Sequence, residues 1–198
     1  MNIAIIGATG KFGMTLTAKL LTNPDYQLTL ISENAEDIFE DNHRITAKSI
    51  NAATLNQLKS ALEGIDLVFC VESGTGLPAI SQNLSDINPK RVIMMNAVGI
   101  YNEIPETLES EYNLDNEPAQ IPNRQAADII EESDLNYTIM RLGFFEYGDE
   151  DDYVIAKKDE NAKGTVSTIE SVEKIALEII ENQDLHSRAN IAVTKDMS

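Results

Sequence analysis

Tryptophan is absent from this 198-residue chain, cysteine occurs once and histidine only twice. A lone cysteine, Cys70, cannot close an internal disulfide. Its place in the apolar run Leu67–Val71 marks it as a buried thiol rather than a reactive one. Neither His43 nor His186 has a second ligand at useful spacing, so no metal site is suggested. Basic residues are also scarce: 15 Lys and Arg stand against 33 Asp and Glu, a formal net charge of -18. Binding to the phosphate backbone of DNA or RNA needs clustered Lys and Arg, so nucleic acid is not an expected partner. No apolar run reaches the roughly 20 residues of a membrane helix. The chain enters a strand pattern at once, without the basic start and long apolar centre of a signal peptide. The expected setting is therefore the cytoplasm.

Low-complexity tracts, repeats and linkers are missing too, and a 42% hydrophobic content suits one globular domain with a sizeable core. The acids are unevenly spread. Glu103, Glu106, Glu109, Glu111, Asp115 and Glu117 fall in a stretch without a base, and residues 149–152 read DEDD. A solvated face is the expected reading, against a site for a basic partner.

What is present is an alternation of strand and helix patterns. The apolar run Ile3–Ile6 leads into Gly7-Ala8-Thr9-Gly10-Lys11-Phe12-Gly13 and then the helical segment Met14–Leu21. In a strand–turn–helix unit of this kind, the first glycine permits the turn and the second lets backbone approach a diphosphate. The third allows close helix–strand contact. The open N–H groups and positive dipole end of the helix attract the anion. Further strands are expected at Tyr26–Ile31, His43–Lys48, Asp66–Val71, Arg91–Asn96 and Tyr137–Leu142, with short ones at Tyr153–Ala156 and Thr165–Ser167. Ala189–Val193 reads as an edge strand. Helices are expected over Ala53–Leu62, Leu77–Leu84 and Pro122–Glu132, and Gly143–Asp152 as an irregular loop. A last strong helix runs to Asn182, capped by Ser167 or Thr168, with Ser167-x-x-Glu170 fitting a capping box.

Such alternation implies a doubly wound α/β fold, Rossmann-like, with a mostly parallel sheet covered by helices on both faces. Ligands in these folds sit beyond the carboxyl ends of the strands. That rule nominates the loops Gly7–Gly13, Ser32–Asn34, Ser49–Asn51 (with Ser49 and Ile50), Val71–Gly76, Asn96–Tyr101 and Leu142–Phe145.

The segments GATGKFG (Gly7–Gly13), ALEGIDLVFCV (Ala61–Val71), NAVGIY (Asn96–Tyr101) and SDLNYTIMRLGFF (Ser133–Phe145) resemble the atypical short-chain dehydrogenase/reductases. The likeness is to their NAD(P)-binding, NmrA-like and flavin-reductase-like branches, with Leu142 where proline is usual. The resemblance implies a diphosphate-binding turn at Gly7, Thr9, Gly10, Phe12 and Gly13. Lys11 either adds positive charge there or faces solvent. The same resemblance implies that Val71, Glu72, Ser73 and Gly74 lie along the ribose and nicotinamide, and that Leu142, Gly143 and Phe144 wall the nicotinamide pocket. Glu33 stands where NADP-binding members usually carry arginine. It lies 20 residues past Gly13, where an acid hydrogen-bonds an adenosine ribose and repels a 2′-phosphate. NAD is therefore favoured over NADP, although Ser32 and Asn34 suit either nucleotide.

The usual serine of short-chain dehydrogenases aligns with Asn96 and Ala97, and no Tyr-x-x-x-Lys follows. Tyr101 leads to Pro105 and Tyr112 to Asn116. Tyr101 is the weak catalytic candidate; Tyr112, Tyr147 and Arg141 are weaker. Arg124 can replace a lysine's charge but not act as an acid. The expected function is an NAD(P)-dependent oxidoreductase of a small carbonyl, quinone or flavin acceptor. The alternative is a dinucleotide-binding sensor without turnover.

Overall fold

The computed structural model describes residues 1–198. Its elements, in chain order, are β1 (Asn2–Ile6), α1 (Lys11–Leu20), β2 (Gln27–Ser32), α2 (Ala35–Ile38), β3 (Ile45–Ser49), α3 (Leu55–Ala61), β4 (Leu67–Cys70) and α4 (Leu77–Ile87). There follow β5 (Val92–Ala97), α5 (Ile121–Glu132), β6 (Tyr137–Leu142), β7 (Phe144–Glu146), β8 (Val154–Lys157), β9 (Val166–Thr168), α6 (Ile169–Glu181) and β10 (Ala189–Thr194). Eight strands form one sheet in the order β3-β2-β1-β4-β5-β6-β10-β8. All neighbours are parallel except β10 and β8. The chain winds outward from β1 to β3, then crosses back to β4 and winds the other way. This reversal between β1 and β4 is the switch point of a Rossmann-like fold, and a crevice opens there at the strands' carboxyl ends.

The two-residue period of a strand decides which side chain joins which layer. In β1, Ile3 and Ile5 pack with α1 and α6 on one face of the sheet, beside Leu16, Leu20, Ile175 and Ile179. Ala4 and Ile6 pack with α3, α4 and α5 on the other, beside Leu58, Leu84, Ala127 and Ile130. Both faces are covered, so the central strands are apolar throughout rather than alternating.

Three expectations about the elements need correction. Ala189–Thr194 is not an edge: β10 lies between β6 and β8, and the antiparallel β8 forms the border. The segment after Leu142 is not wholly irregular, because Phe144–Glu146 pairs with β9 in a small parallel sheet of its own. Of the two expected cap residues of α6, Thr168 is the one that caps it, its hydroxyl accepting from Ser171 N–H at 3.1 Å. Ser167 is buried, donating to Val193 O at 2.6 Å and accepting from Gly143 N–H at 2.9 Å. Glu170 accepts from Gly148 N–H, so no reciprocal capping box forms.

The acidic stretch is also not uniformly solvated. Glu103 is buried and forms an ion pair with Arg141, itself fully buried in β6. Arg141 also donates to Asn190 Oδ1 at 2.8 Å and to Lys157 O at 3.1 Å, tying β6, β10 and β8 together. Cys70 is buried as expected, and burial pushes its thiol pKa up to about 12.

Candidate dinucleotide and substrate site

The turn between β1 and α1 is shaped by backbone crowding. Gly7 has φ +84, and a Cβ there would lie 2.7 Å from Val71 Cγ2. A Cβ on Gly13 would lie 2.4 Å from Gly7 O and 2.8 Å from Ala8 O, so α1 can leave the turn this steeply only from a glycine. Gly7 N–H donates to Ile31 O at 2.8 Å and Thr9 N–H to Ser32 Oγ at 3.2 Å, anchoring the turn on β2. The first hydrogen bond into the helix runs from Met14 N–H to Gly10 O. The N–H groups of Lys11, Phe12 and Gly13 are left open at the positive end of the helix dipole, a cradle for an anion.

Above this turn lies a cavity of about 620 Å³. Gly7, Thr9, Gly10, Lys11, Phe12, Gly13, Ser32, Glu33, Ile50, Val71 and Glu72 all line it. A second cavity of about 260 Å³, mostly apolar, opens beyond the ends of β4, β5 and β6. Val71, Glu72, Ser73, Asn96, Ala97, Leu142, Gly143 and Phe144 line that one. Val71, Glu72, Met95 and Phe145 border both, so the two cavities adjoin across the switch point.

Two nominated residues are not brought into the cleft. Ser49 ends β3 with its hydroxyl accepting from Glu36 N–H at 2.9 Å. Gly74 begins a short 3₁₀ turn, and its N–H donates to Asn123 Oδ1 at 3.0 Å. Tyr101 is likewise held away from both cavities. Its hydroxyl donates to Glu131 at 2.9 Å and accepts from Asn190 at 2.9 Å, and Arg124 and Lys158 lie over its ring. Burial and the Glu131 carboxylate raise its pKa far above the ordinary phenol value, the wrong direction for an acid–base group near neutrality. Arg141 is locked in its buried pair, and Arg124 in an ion pair with Asp128 at 2.8 Å. Tyr147 lies outside both cavities, beneath the Lys11 ammonium at 4.5 Å.

On the far wall of the smaller cavity, sequence reasoning named only Tyr112, as a weaker catalytic candidate, and missed Gln120, Asn123 and Thr165. Asn123 and Gln120 reach that wall from the start of α5, Tyr112 from a short 3₁₀ turn and Thr165 from the approach to β9. The amides are already committed to one another. Asn96 donates to Asn123 O at 2.9 Å and accepts from Ala97 N–H, while Asn123 donates to Gln120 Oε1 at 2.8 Å. Thr165 donates to Glu109. The hydroxyls of Ser73 and Tyr112, by contrast, take no hydrogen-bond partner from the protein, and both groups line the cavity. Aromatic rings complete the wall. Phe145 stacks on Phe12 with centroids 5.4 Å apart and planes 7° apart, and Tyr112 meets Phe144 edge-on at 4.7 Å. No contiguous sequence signal marks Gln120 or Asn123, since both arrive from the long connection after β5.

The cleft's glycine cradle, open helix terminus and near-continuous length fit a dinucleotide, and comparison with known proteins agrees. The profile of the NAD(P)H-binding family matches residues 7–183. No curated protein sequence matches the chain. Among solved structures, a short-chain dehydrogenase/reductase from Veillonella parvula, in complex with NADP, is 29% identical with a TM-score of 0.86. That match covers 99% of this chain and 95% of the other. A Rossmann-fold NAD(P)-binding family protein from Shigella flexneri is 24% identical, TM-score 0.79, over 100% and 94% of the two chains. The oxidoreductase ylbE from Lactococcus lactis is 21% identical, TM-score 0.77, over 98% and 91%. With most of its length matched by the profile and its turn shaped to receive a diphosphate, this chain belongs to the NAD(P)H-binding family of Rossmann-fold proteins.

Proposed function

We propose that this protein is an NAD(P)-dependent oxidoreductase of small acceptors that prefers NAD(H). One observation carries the reading: the cavity above the glycine turn adjoins a second, largely apolar cavity lined by Phe144 and Phe145, with four lining residues in common. A bound dinucleotide supplies hydride chemistry at its nicotinamide end. The chain's own part is then to hold and orient. The open N–H groups of Lys11, Phe12 and Gly13 receive the diphosphate. Leu142, Gly143 and Phe144 exclude water from the reacting end. Ser73 and Tyr112, the unpartnered hydroxyls, orient the acceptor's polar atom, and the fixed Asn96–Asn123–Gln120 network keeps the floor rigid. A flat conjugated acceptor such as a quinone or flavin suits a site lacking a Tyr–Lys acid–base pair, because less protein acid–base work is required.

Preference for NAD(H) rests on Glu33, which lines the larger cavity with Asn34, Asn51 and Ala53 at its adenosine side; Lys11 is its one basic residue. No guanidinium is available there for a 2′-phosphate. Glu33→Arg should shift the NADPH to NADH affinity ratio by about 10- to 100-fold toward NADPH, a swing of one to two like-charge interactions. An unchanged ratio would remove Glu33 from the ribose site.

Turnover is tested by loss of NADH and NADPH absorbance with a panel of quinones, flavins and carbonyl compounds. The commitment of Tyr101 to Glu131 and Asn190 favours a second reading, a dinucleotide-binding sensor. Tight binding with no turnover on any acceptor would select it.

A further inference from the structure

Glu72 stands at the junction of the two cavities and borders both. Its carboxyl is laid over the glycine turn: Oε1 lies 3.1 Å, and the carboxyl carbon 3.3 Å, from the point where a Cβ on Gly7 would be. No cation pairs with this carboxyl and no hydrogen bond holds it, and it lines the same cavity as the open N–H groups of Lys11, Phe12 and Gly13. A carboxylate and a diphosphate that share one cavity repel each other, and the cleft's partial burial reduces the screening between them.

We propose that Glu72 enters the dinucleotide complex as the neutral acid, so that cofactor binding takes up a proton. In that form its O–H becomes a donor to the ligand instead of a competing anion, and Glu72 acts as a positioning residue. This inference rests on the dinucleotide reading of the cleft. The surrounding groups favour it. Glu33, from the end of β2, faces the same cavity and opposes a second negative charge. Lys11, from α1, lines the cavity but sits over the Tyr147 ring. Tyr112 borders the smaller cavity, and the buried Cys70 thiol, its pKa pushed up by burial, feels both the Glu72 backbone and the Glu72 charge. Before any ligand arrives, burial and then Glu33 already raise the Glu72 pKa above the ordinary carboxylate value.

The sign follows from linkage. A bound diphosphate raises the Glu72 pKa further, so affinity is highest below the free-state pKa. It falls as pH rises through that value and levels off above the bound-state pKa. Each unit separating the two pKa values weakens binding at the upper plateau about tenfold. NADH binding to the intact protein should be followed by calorimetry in buffers of differing ionisation heat, between about pH 5.5 and 8.5 where its diphosphate stays fully ionised. We expect a net uptake of between zero and one proton, largest in the window where affinity falls. Glu72→Gln, neutral at every pH and nearly the same shape, should abolish the uptake, flatten the profile and bind NADH tenfold or more tightly at the alkaline end. Binding with no proton uptake, or a Glu72→Gln variant that binds NADH no better than the parent, would overturn this inference and leave the dinucleotide reading intact. Absence of any NADH binding at every pH would overturn both.

Discussion

Replacing Glu103 with alanine should be among the most damaging single changes to this fold, although the residue begins a stretch of acids that reads as surface. The Arg141 guanidinium is fully buried, and Glu103 is only 6% exposed. Arg141 keeps Asn190 Oδ1 and Lys157 O as acceptors, but Glu103 supplies its counter-charge. The same carboxylate accepts the Tyr101 N–H at 2.9 Å. Removing one partner of a buried ion pair leaves an uncompensated charge and costs about 3–5 kcal/mol. The orphaned Tyr101 N–H adds about 1 kcal/mol. Against a total stability of about 5–15 kcal/mol, Glu103→Ala therefore removes roughly a third or more. With a urea m-value of about 2–3 kcal/mol/M, the unfolding midpoint should fall by about 1.3–3 M. Glu106→Ala, three residues on and exposed, should stay within about 0.5 kcal/mol of the parent. Glu103→Gln keeps an acceptor but not the charge and should fall between the two. Equal midpoints for Glu103→Ala and Glu106→Ala would refute the view that this pair supports the junction of β6, β8 and β10.

Two further changes probe the cleft. Gly13→Ala places a methyl 2.4 Å from Gly7 O, so α1 and the turn must separate. Dinucleotide affinity by calorimetry should drop at least 100-fold, with a stability loss of about 1–3 kcal/mol; retained affinity would mean the cradle does not depend on this close approach. Tyr101→Phe removes the donor to Glu131 and the acceptor for Asn190. It should lower stability by about 1 kcal/mol and leave NADH affinity within twofold, and a large fall in turnover at unchanged stability would return Tyr101 to the chemistry.

The central sheet was legible because its signals are local. Each buried strand is a short apolar run, and each boundary is marked by glycine, proline or a polar turn, as at Gly64 after α3 and Asn23–Asp25 before β2. What escaped depends on partners distant in sequence. Ala189–Thr194 reads as an edge strand because nothing in its own residues announces that β8 will close beside it. Ser167 looks like a helix cap until Val193 and Gly143, brought in by β10 and β6, claim its hydroxyl. Glu103 reads as solvated because its counter-charge is 38 residues away. The same division holds for the cleft. The glycine turn is one contiguous motif, whereas Gln120, Asn123 and Thr165 converge on the smaller cavity from connections with no periodicity to betray them.

The charge balance makes the approach of the cofactor unusual for an anion-binding site. The chain carries -18, the larger cavity is lined by Glu33 and Glu72, and Lys11 is its one basic residue. Attraction for the diphosphate comes from open N–H groups and a helix dipole, which act only within about the first turn. Repulsion from the whole protein reaches farther, about 30 Å at 0.01 M salt and about 8 Å at 0.15 M. At low salt an incoming dinucleotide meets the repulsive field long before the turn can attract it. Raising ionic strength removes the long-range term and leaves the short-range one largely intact. The association rate of NADH, followed by stopped-flow fluorescence, should therefore rise severalfold between about 0.01 M and 0.15 M salt, opposite to the usual steering of a charged ligand. A rate that falls with salt would show that Lys11 and the α1 terminus project a positive field beyond the cleft, and that the acids of the surface do not govern access.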